Sequence, residues 1–217
     1  MILNIYKPNG ITSFGVVKKI RKIVGEKKVG HGGTLDPFAE GVLIIGTGSD
    51  TKELKRITDT DKTYTASIEL GKTTNTLDPE GDVIEKKKIP RLSESKINKV
   101  LDSFLGVSMQ TPPMFSAKKI GGVKLYELAR KNIIVDREPS QINISSINLI
   151  NFNGTNITFS VSCSKGTYIR VLGKEIAEKL GTVGYLNSLI RTRVGEYFID
   201  DSIPLDQFKL SWKSYAH

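Results

Sequence analysis

Apolar residues recur at helical spacing near the beginning of the chain. Between positions 16 and 24 they fall on one stripe, with lysine and arginine on the other face, which is typical of an amphipathic helix. Thr12 or Ser13 can cap the start of this helix, and Gly25 follows its last turn. The pattern therefore predicts a first helix from Thr12 or Ser13 to about Val24.

Other stretches alternate between apolar and polar residues, as half-buried strands do. The clearest alternation runs from Tyr64 to Leu70, and the short apolar run Val42–Ile45 indicates a buried strand. Two more alternating runs between Ile142 and Cys163 flank Asn153-Gly154, which predicts a hairpin with a two-residue turn.

Three further helices are predicted downstream. They lie near Ser95–Leu105, closed by Gly106, near Lys124–Lys131, and from about Thr167 to Leu180. Helices and strands interleave with hairpins rather than in strict βαβ alternation. We therefore expect an α+β fold with a mixed, largely antiparallel sheet and flanking helices.

The length of 217 residues suits one large domain or two small ones. No internal repeat or low-complexity tract divides the chain. Residues 107–140 differ in composition from the rest of the chain, because prolines, glycines and lysines cluster there. We expect a single domain, 1–217, that carries an exposed basic insertion at about 107–140.

The charge balance narrows the range of partners. The chain has 32 Lys and Arg against 23 Asp and Glu, a net charge of +9 and a pI near 9.5. A chain this basic is a candidate for binding a polyanion, with nucleic acid ahead of a membrane surface. A merely basic housekeeping protein has the same balance, so charge alone does not decide.

Scarce residues exclude several classes of protein. Cys163 is the only cysteine, and the only histidines are His31 and the chain-terminal His217. The chain cannot form an internal disulfide or the usual His/Cys zinc clusters, and a reducing cytoplasm is its expected location. The N-terminus lacks the pattern of a signal peptide, and no apolar run is long enough to span a bilayer.

Four side chains are candidates for chemistry, although each also has an ordinary structural interpretation. The glycine-rich stretch 30–37 presents Asp36 before a proline that restricts its backbone, but an Asp-Pro turn would look the same. His31 fits a structural histidine, Tyr64 a core aromatic residue, and Arg170 a surface or phosphate-contacting group. Taken one at a time, these residues leave the function open.

Ordered sequence blocks connect these candidates. From the N-terminus they are Asn4-Ile5-Tyr6-Lys7-Pro8, His31-Gly32-Gly33-Thr34-Leu35-Asp36-Pro37, Asp61-Lys62-Thr63-Tyr64, Leu70-Gly71 with Thr74, Thr76, Asp78 and Gly81, Pro112-Pro113-Met114-Phe115-Ser116-Ala117, Cys163-Ser164-Lys165-Gly166-Thr167-Tyr168-Ile169-Arg170, and Leu186 with Leu189 and Arg191. In order and spacing they resemble the TruB-type tRNA pseudouridine-55 synthases, over essentially the whole chain.

The resemblance implies an activity and assigns roles within it. Members of this family isomerise one uridine in the T loop of tRNA to pseudouridine, without cofactor or metal. By the match, Asp36 is the catalytic carboxylate and Arg170 the arginine that pairs with it. Tyr64 is the residue that stacks on the target base and is the proposed base for proton removal, and Leu189 lines the uracil pocket. Lys7 is expected to support the active-site loop.

The resemblance also implies how RNA is bound. His31 corresponds to the histidine that fills the space left when the target base flips out, and the insertion corresponds to a segment that closes over the T-stem loop. Neither a membrane nor an obligate protein partner is expected, and the C-terminal PUA domain of many members is not apparent in this chain. The cations expected to contact RNA are Lys18, Lys19, Arg21, Lys22, Lys118, Lys119 and Lys124.

Two rival interpretations stay open from the sequence. One is a guide-RNA-dependent synthase of the related archaeal and eukaryotic type, which acts in a multi-protein particle. The other is an RNA chaperone that helps tRNA fold, a role that would depend on the basic helix and not on Asp36. The chaperone role is also compatible with the isomerase.

Overall fold

The computed structural model describes residues 1–215, with the side chains of residues 1–210 and 212, so His217 lies outside it. The helices are α1 (Ser13–Val24), α2 (Leu54–Thr58), α3 (Glu94–Asp102), α4 (Leu125–Ala129), α5 (Ile169–Lys179) and α6 (Phe208–Tyr215). The strands are β1 (Ile2–Lys7), β2 (Val29–His31), β3 (Glu40–Thr47), β4 (Lys62–Leu70), β5 (Lys72–Thr74), β6 (Val83–Lys86), β7 (Gly106–Gln110), β8 (Lys119–Ile120), β9 (Val123–Lys124), β10 (Ser140–Phe152), β11 (Asn156–Cys163), β12 (Gly184–Val194), β13 (Tyr197–Phe198) and β14 (Ile203–Pro204).

The chain divides into two compact units. The first contains Met1–Thr65 and the chain from Leu189 onward, and the second contains Ala66–Ser188. Strands β4 and β12 cross this division, so each gives residues to both units. The expectation of a single domain stays a prediction.

In the first unit, the strands follow the order β14-β1-β3-β12-β4, with β2 on β3 and β13 on β12. β1 is antiparallel to β3, whereas β14 on β1 and β12 on β3 are parallel. The main core of this unit forms where α1 covers β1 and β3, since Ile5, Val17, Ile20, Leu43 and Ile45 are all buried there. Sheet and helix therefore share one apolar layer.

The boundaries of α1 confirm the prediction. The Thr12 hydroxyl accepts a hydrogen bond from the Gly15 backbone N–H at 2.9 Å, and so caps the first turn. The helix ends at Val24 because Gly25 takes the left-handed conformation, with φ of 72°, which glycine adopts without steric cost.

In the second unit, the strands follow the order β4-β11-β10-β7, and β10 is antiparallel to both β7 and β11. The predicted hairpin is present, but residues 153–155 separate β10 from β11. The Asn153 side chain accepts hydrogen bonds from the backbone N–H groups of Thr155 and Asn156. The connection is thus one residue longer than the predicted turn.

Two other predicted elements need correction in their bounds. The helix expected to end near Leu105 stops at Asp102, and Gly106 begins β7 instead of closing the helix. The helix expected at Lys124–Lys131 is the shorter α4. By contrast, β4 alternates as predicted, with Tyr64 and Leu70 on its buried face. The mixed, mainly antiparallel sheet with helices confirms the α+β fold class.

Candidate active site

The loop between β2 and β3 carries Asp36, and the rest of the first unit fixes its backbone. Leu35 and Phe38 on either side are buried, at 4% and 6% exposure, while Asp36 itself is half-buried. The Ser13 hydroxyl bonds both the N–H and the carbonyl of Leu35, each at 2.9 Å. Gly10 donates its N–H to the Pro37 carbonyl. The loop thus presents the carboxylate from a fixed position.

Lys7 stabilises the same loop from below the surface. Its side chain is fully buried, and Nζ donates to the carbonyls of Pro8 at 2.9 Å, Pro37 at 3.0 Å and Ala39 at 2.6 Å. Two of these carbonyls lie within three residues of Asp36. This arrangement agrees with the supporting role that the sequence indicated for Lys7.

Arg191 holds the other end of the loop, a role that the sequence did not indicate. Its guanidinium is 1% exposed and donates to the carbonyls of Val42 at 2.7 Å, Gly33 at 3.2 Å and Thr34 at 3.4 Å. The backbone of Arg191 lies so close to Gly41 that a Cβ there would be 2.3 Å from its carbonyl oxygen. The only sequence signal was the place of Arg191 in an ordered block.

His31 is the last residue of β2 and lies beside this arginine. Burial of the ring, and next the positive charge of Arg191, lower the pKa of His31 from its ordinary value, while a hydrogen bond with Gly33 opposes the shift. Its Nδ1 is buried without a hydrogen-bond partner. These effects favour a neutral imidazole, which can enter an apolar or stacked environment without a charge to desolvate.

Tyr64 and Leu189 belong to the first unit together with Asp36. Tyr64 lies on the buried face of β4, at 8% exposure, and Leu189 lies in β12 at 5%. The local interpretation of Tyr64 as a core residue matches this burial, and its stacking on the target base stays a prediction.

Arg170 lies in the second unit, and the local expectation of a surface arginine is wrong. It is 4% exposed and forms an ion pair with Asp78, with Nη1 3.3 Å from Oδ2. The same guanidinium donates to the carbonyl of Thr76 at 2.6 Å and to that of Phe115 at 2.7 Å. Arg170 lies in the first turn of α5. Its guanidinium can be buried there because these acceptors replace its hydration.

Asp78 is a second residue whose role the sequence did not indicate. Its Oδ1 accepts from the Thr76 hydroxyl at 2.6 Å and from the Glu80 backbone N–H at 3.0 Å. Thr74 also donates its hydroxyl to the Asp78 carbonyl. The carboxylate is therefore fixed by its own turn as well as by Arg170. The only sequence signal for this role was the place of Asp78 in an ordered block.

The cations predicted to contact RNA fall into two groups. Those on α1 (Lys18, Lys19, Arg21 and Lys22) are all exposed, as is Lys119. Lys118 donates to the Ser140 hydroxyl at 3.1 Å, and Lys124 lies over the Tyr126 ring at 5.3 Å. These last two are half-buried, so the exposed group is more accessible to a polyanion.

Two features are absent from the part of the chain that the structure describes. Residues 1–215 contain no cluster of three or more His, Cys, Asp or Glu side chains that could hold a metal ion. In the same part of the chain, no helix has the length and apolar content needed to cross a bilayer.

Comparison with known proteins shows the family to which the sequence belongs. Residues 21–169 match the family described as TruB family pseudouridylate synthase (N terminal domain). The chain is 42% identical over 214 residues to "tRNA pseudouridine synthase B" of Hydrogenovibrio crunogenus, covering 99% of this chain and 71% of the relative. It is 46% identical over 205 residues to the protein of the same name from Clostridium tetani, covering 94% and 71%.

Solved structures agree with the sequence comparison. The crystal structure of a Cbf5-Nop10-Gar1 complex contains a chain with a TM-score of 0.76 and 28% identity, covering all of this chain and 56% of that one. A chain in an H/ACA RNP bound to a substrate RNA containing 2'-deoxyuridine has a TM-score of 0.72 and 26% identity. This chain spans 55% of that one. On the match of residues 21–169 and these identities, the chain belongs to the TruB family of pseudouridylate synthases, which are isomerases.

Proposed function

We propose that this enzyme converts uridine 55 in the T loop of tRNA to pseudouridine. The observation that carries the proposal is the loop of Asp36. Two buried cations, Lys7 and Arg191, hold its backbone, while Asp36 itself is half-buried. The relatives named tRNA pseudouridine synthase B support tRNA as the substrate. We also place this activity in the cytoplasm.

The reaction rearranges the uridine without net loss or gain of atoms. The N1–C1′ glycosidic bond breaks, the uracil turns, and C5 joins C1′, after which the C5 proton leaves and N1 holds a proton. An ionised carboxylate at Asp36 can attack C1′ of the ribose and be displaced from it when C5 bonds there, or it can add to C6 of the uracil and be eliminated after rejoining. In a third route it takes up the ribose 2′ proton after cleavage and returns it when C5 joins C1′. A fixed loop favours each route because a misplaced carboxylate loses most of the advantage of proximity.

The other residues position the base and its charges. We propose that Tyr64 stacks on the uracil and removes the C5 proton, and that Leu189 lines the pocket that keeps the free base from escaping. A phenol is an inefficient base at its ordinary pKa of ~10, so this proton transfer needs local assistance. The pairing of Arg170 with Asp36 that the resemblance implies stays a prediction, while Arg170 also binds Asp78.

Access to the base requires that it leave the stack of the T loop. We propose that His31 occupies the vacated space, a role that suits a ring kept neutral by burial and by Arg191. The exposed cations of α1, with those of residues 118–124, contact the phosphates of the T-stem loop. Neither a membrane nor an obligate protein partner enters this proposal.

The proposal is tested by tritium release from a T-stem-loop RNA labelled at C5 of the target uridine. Wild-type protein should release the label, and Asp36→Asn should reduce the rate at least about 10³-fold, because it removes the nucleophile without changing its shape. Asp200→Asn, an exposed aspartate far along the chain, is the matched control and should keep full activity. Release by Asp36→Asn at the wild-type rate would refute the assignment.

The same assay separates the two rival functions. Activity of the lone chain on unmodified tRNA, without a guide RNA, would exclude a guide-dependent mechanism. The exposed α1 cations favour a coexisting role as a tRNA-folding chaperone, because they need no contribution from Asp36. If so, Asp36→Asn should still accelerate tRNA refolding, and a protein lacking the α1 charges should not.

A further inference from the structure

Cations are concentrated in three stretches of the chain. Residues 18–28 and residues 86–99 each carry six Lys or Arg against one carboxylate, and residues 118–131 carry five against one. The first and third stretches contain the cations already expected to bind the T arm. The second stretch, which we call the 86–99 cluster, has no role in the proposed mechanism.

All six cations of the 86–99 cluster are exposed to solvent. They are Lys86, Lys87, Lys88, Arg91, Lys96 and Lys99. Among the described residues, none of the six lies in an ion pair, whereas Lys72 and Lys174 in the same unit pair with Glu69 and Glu178. The 86–99 cluster therefore has positive charge that neighbouring carboxylates do not neutralise.

The backbone under these cations is held in place by the second unit. Lys87 donates its N–H to the Gly71 carbonyl at 2.9 Å, and its own carbonyl accepts from the Thr182 hydroxyl at 3.1 Å. Farther along, Ile97 and Leu101 are buried on the apolar side of α3. The backbone that carries these cations is thus fixed, so the binding of a ligand does not have to order it.

We propose that the 86–99 cluster is a further phosphate-binding surface for the substrate tRNA, an inference that rests on the proposed function. The composition favours RNA phosphate over an acidic protein, because lysine is depleted and aromatic residues are enriched at protein interfaces. This stretch is lysine-rich and has no Phe, Tyr or Trp. Without aromatic side chains to stack on bases, the surface binds the backbone irrespective of nucleotide sequence.

The test measures tRNA affinity as a function of salt for a triple variant, Lys86→Gln, Lys88→Gln and Arg91→Gln. The matched control is Lys52→Gln, Lys55→Gln and Lys209→Gln, which removes three exposed charges from the first unit. Removing one cation that binds a phosphate should lower the slope of log K against log salt by about 0.9. We expect the triple variant to bind full-length tRNA about 5-fold or more weakly, with a slope smaller by about 2 to 3.

Turnover at saturating tRNA should stay at the wild-type value in both variants, because none of these residues belongs to the proposed active site. Equal affinity and equal slope for the triple variant and its control would overturn the inference and leave the cluster to an acidic protein partner. Failure of the proposed function gives a different result: wild-type protein would bind tRNA but release no tritium, and the affinity comparison would still decide the role of the cluster.

Discussion

Two buried arginines, one in each unit, perform different tasks. Arg191 in the first unit donates to three backbone carbonyls, of Val42, Gly33 and Thr34. Arg170 in the second unit binds a carboxylate, Asp78, in addition to two carbonyls. The first guanidinium fixes the course of a loop, and the second balances a buried charge. Equal burial therefore does not imply an equal role.

The difference predicts how each site responds when its arginine is removed. Loss of Arg191 leaves neutral carbonyls without donors, each of which costs about 1 to 3 kcal/mol if buried. Loss of Arg170 removes the cation beside the buried carboxylate of Asp78, and this costs more free energy of unfolding than the loss of donors to neutral carbonyls. Substitutions at four places in the chain test this contrast and its consequences, beginning with the largest effect.

Arg170→Met should destabilise the protein by about 3 to 5 kcal/mol, because it removes the cation that forms an ion pair with the buried Asp78 carboxylate. Urea denaturation measures the loss. If Arg170 also pairs with Asp36, as the family resemblance implies, turnover should fall much more than tRNA affinity. Adding Asp78→Asn should restore part of the stability, because it removes the charge but keeps an acceptor for Thr76 and Glu80, and it should restore none of the turnover. If the double variant were as unstable as the single one, the ion pair would not be the source of the effect.

Arg191→Met should destabilise the protein by about 2 to 4 kcal/mol, less than the change at Arg170, because only neutral acceptors lose their donors. Arg191→Lys should lie between the wild type and this variant. Because the loop of Asp36 loses an anchor, kcat should fall in tritium release while tRNA affinity changes little. A larger loss of stability than that of Arg170→Met would reverse the contrast between the two sites.

Exposed cations provide the opposite extreme to both buried arginines. Replacing Lys18, Lys19 and Lys22 on α1 by Gln should leave thermal stability unchanged, since all three are exposed. The change should weaken tRNA binding about 10-fold and reduce its salt slope by about 2 to 3. Filter binding between low and moderate salt measures both. An unchanged slope would show that α1 is only a solvated face.

The smallest effect concerns His31. Its pKa in the folded protein lies below the ordinary value of 6.5, so the unfolded chain binds more protons near that pH. Stability should therefore fall as the pH drops below about 6.5, and His31→Gln should remove this part of the dependence. Arg191→Met should raise the pKa of His31 in an NMR titration, since it removes a nearby positive charge. A pKa that stayed constant or fell would contradict this coupling.

The sequence predicted elements whose signals are local. The first helix begins and ends as expected because Thr12 caps it and Gly25 stops it, and the alternation of Tyr64–Leu70 matches the burial of β4. The predictions were wrong at two element ends. The hairpin turn is longer than predicted, and the third helix stops at Asp102, three residues early.

The contacts of the side chains in the candidate site were harder to predict from the sequence. Local reasoning made Arg170 a surface or phosphate-contacting group, yet it is buried. The ordered blocks predicted that Asp36 is a residue of the site. The anchoring roles of Arg191 and Asp78 were not, although both lie in those blocks, because a block identifies a residue without showing what it contacts.

The sequence by itself determined the periodicity, the caps, the excess positive charge and the family resemblance, since each depends on residues that are near in the chain or on their order. Only the tertiary structure decided which cations are buried and what they bind. Arg191 meets carbonyls 149 to 158 positions earlier in the chain, and Arg170 meets Thr76 across 94 positions. Desolvation and hydrogen bonding depend on such distant neighbours, which no local pattern specifies.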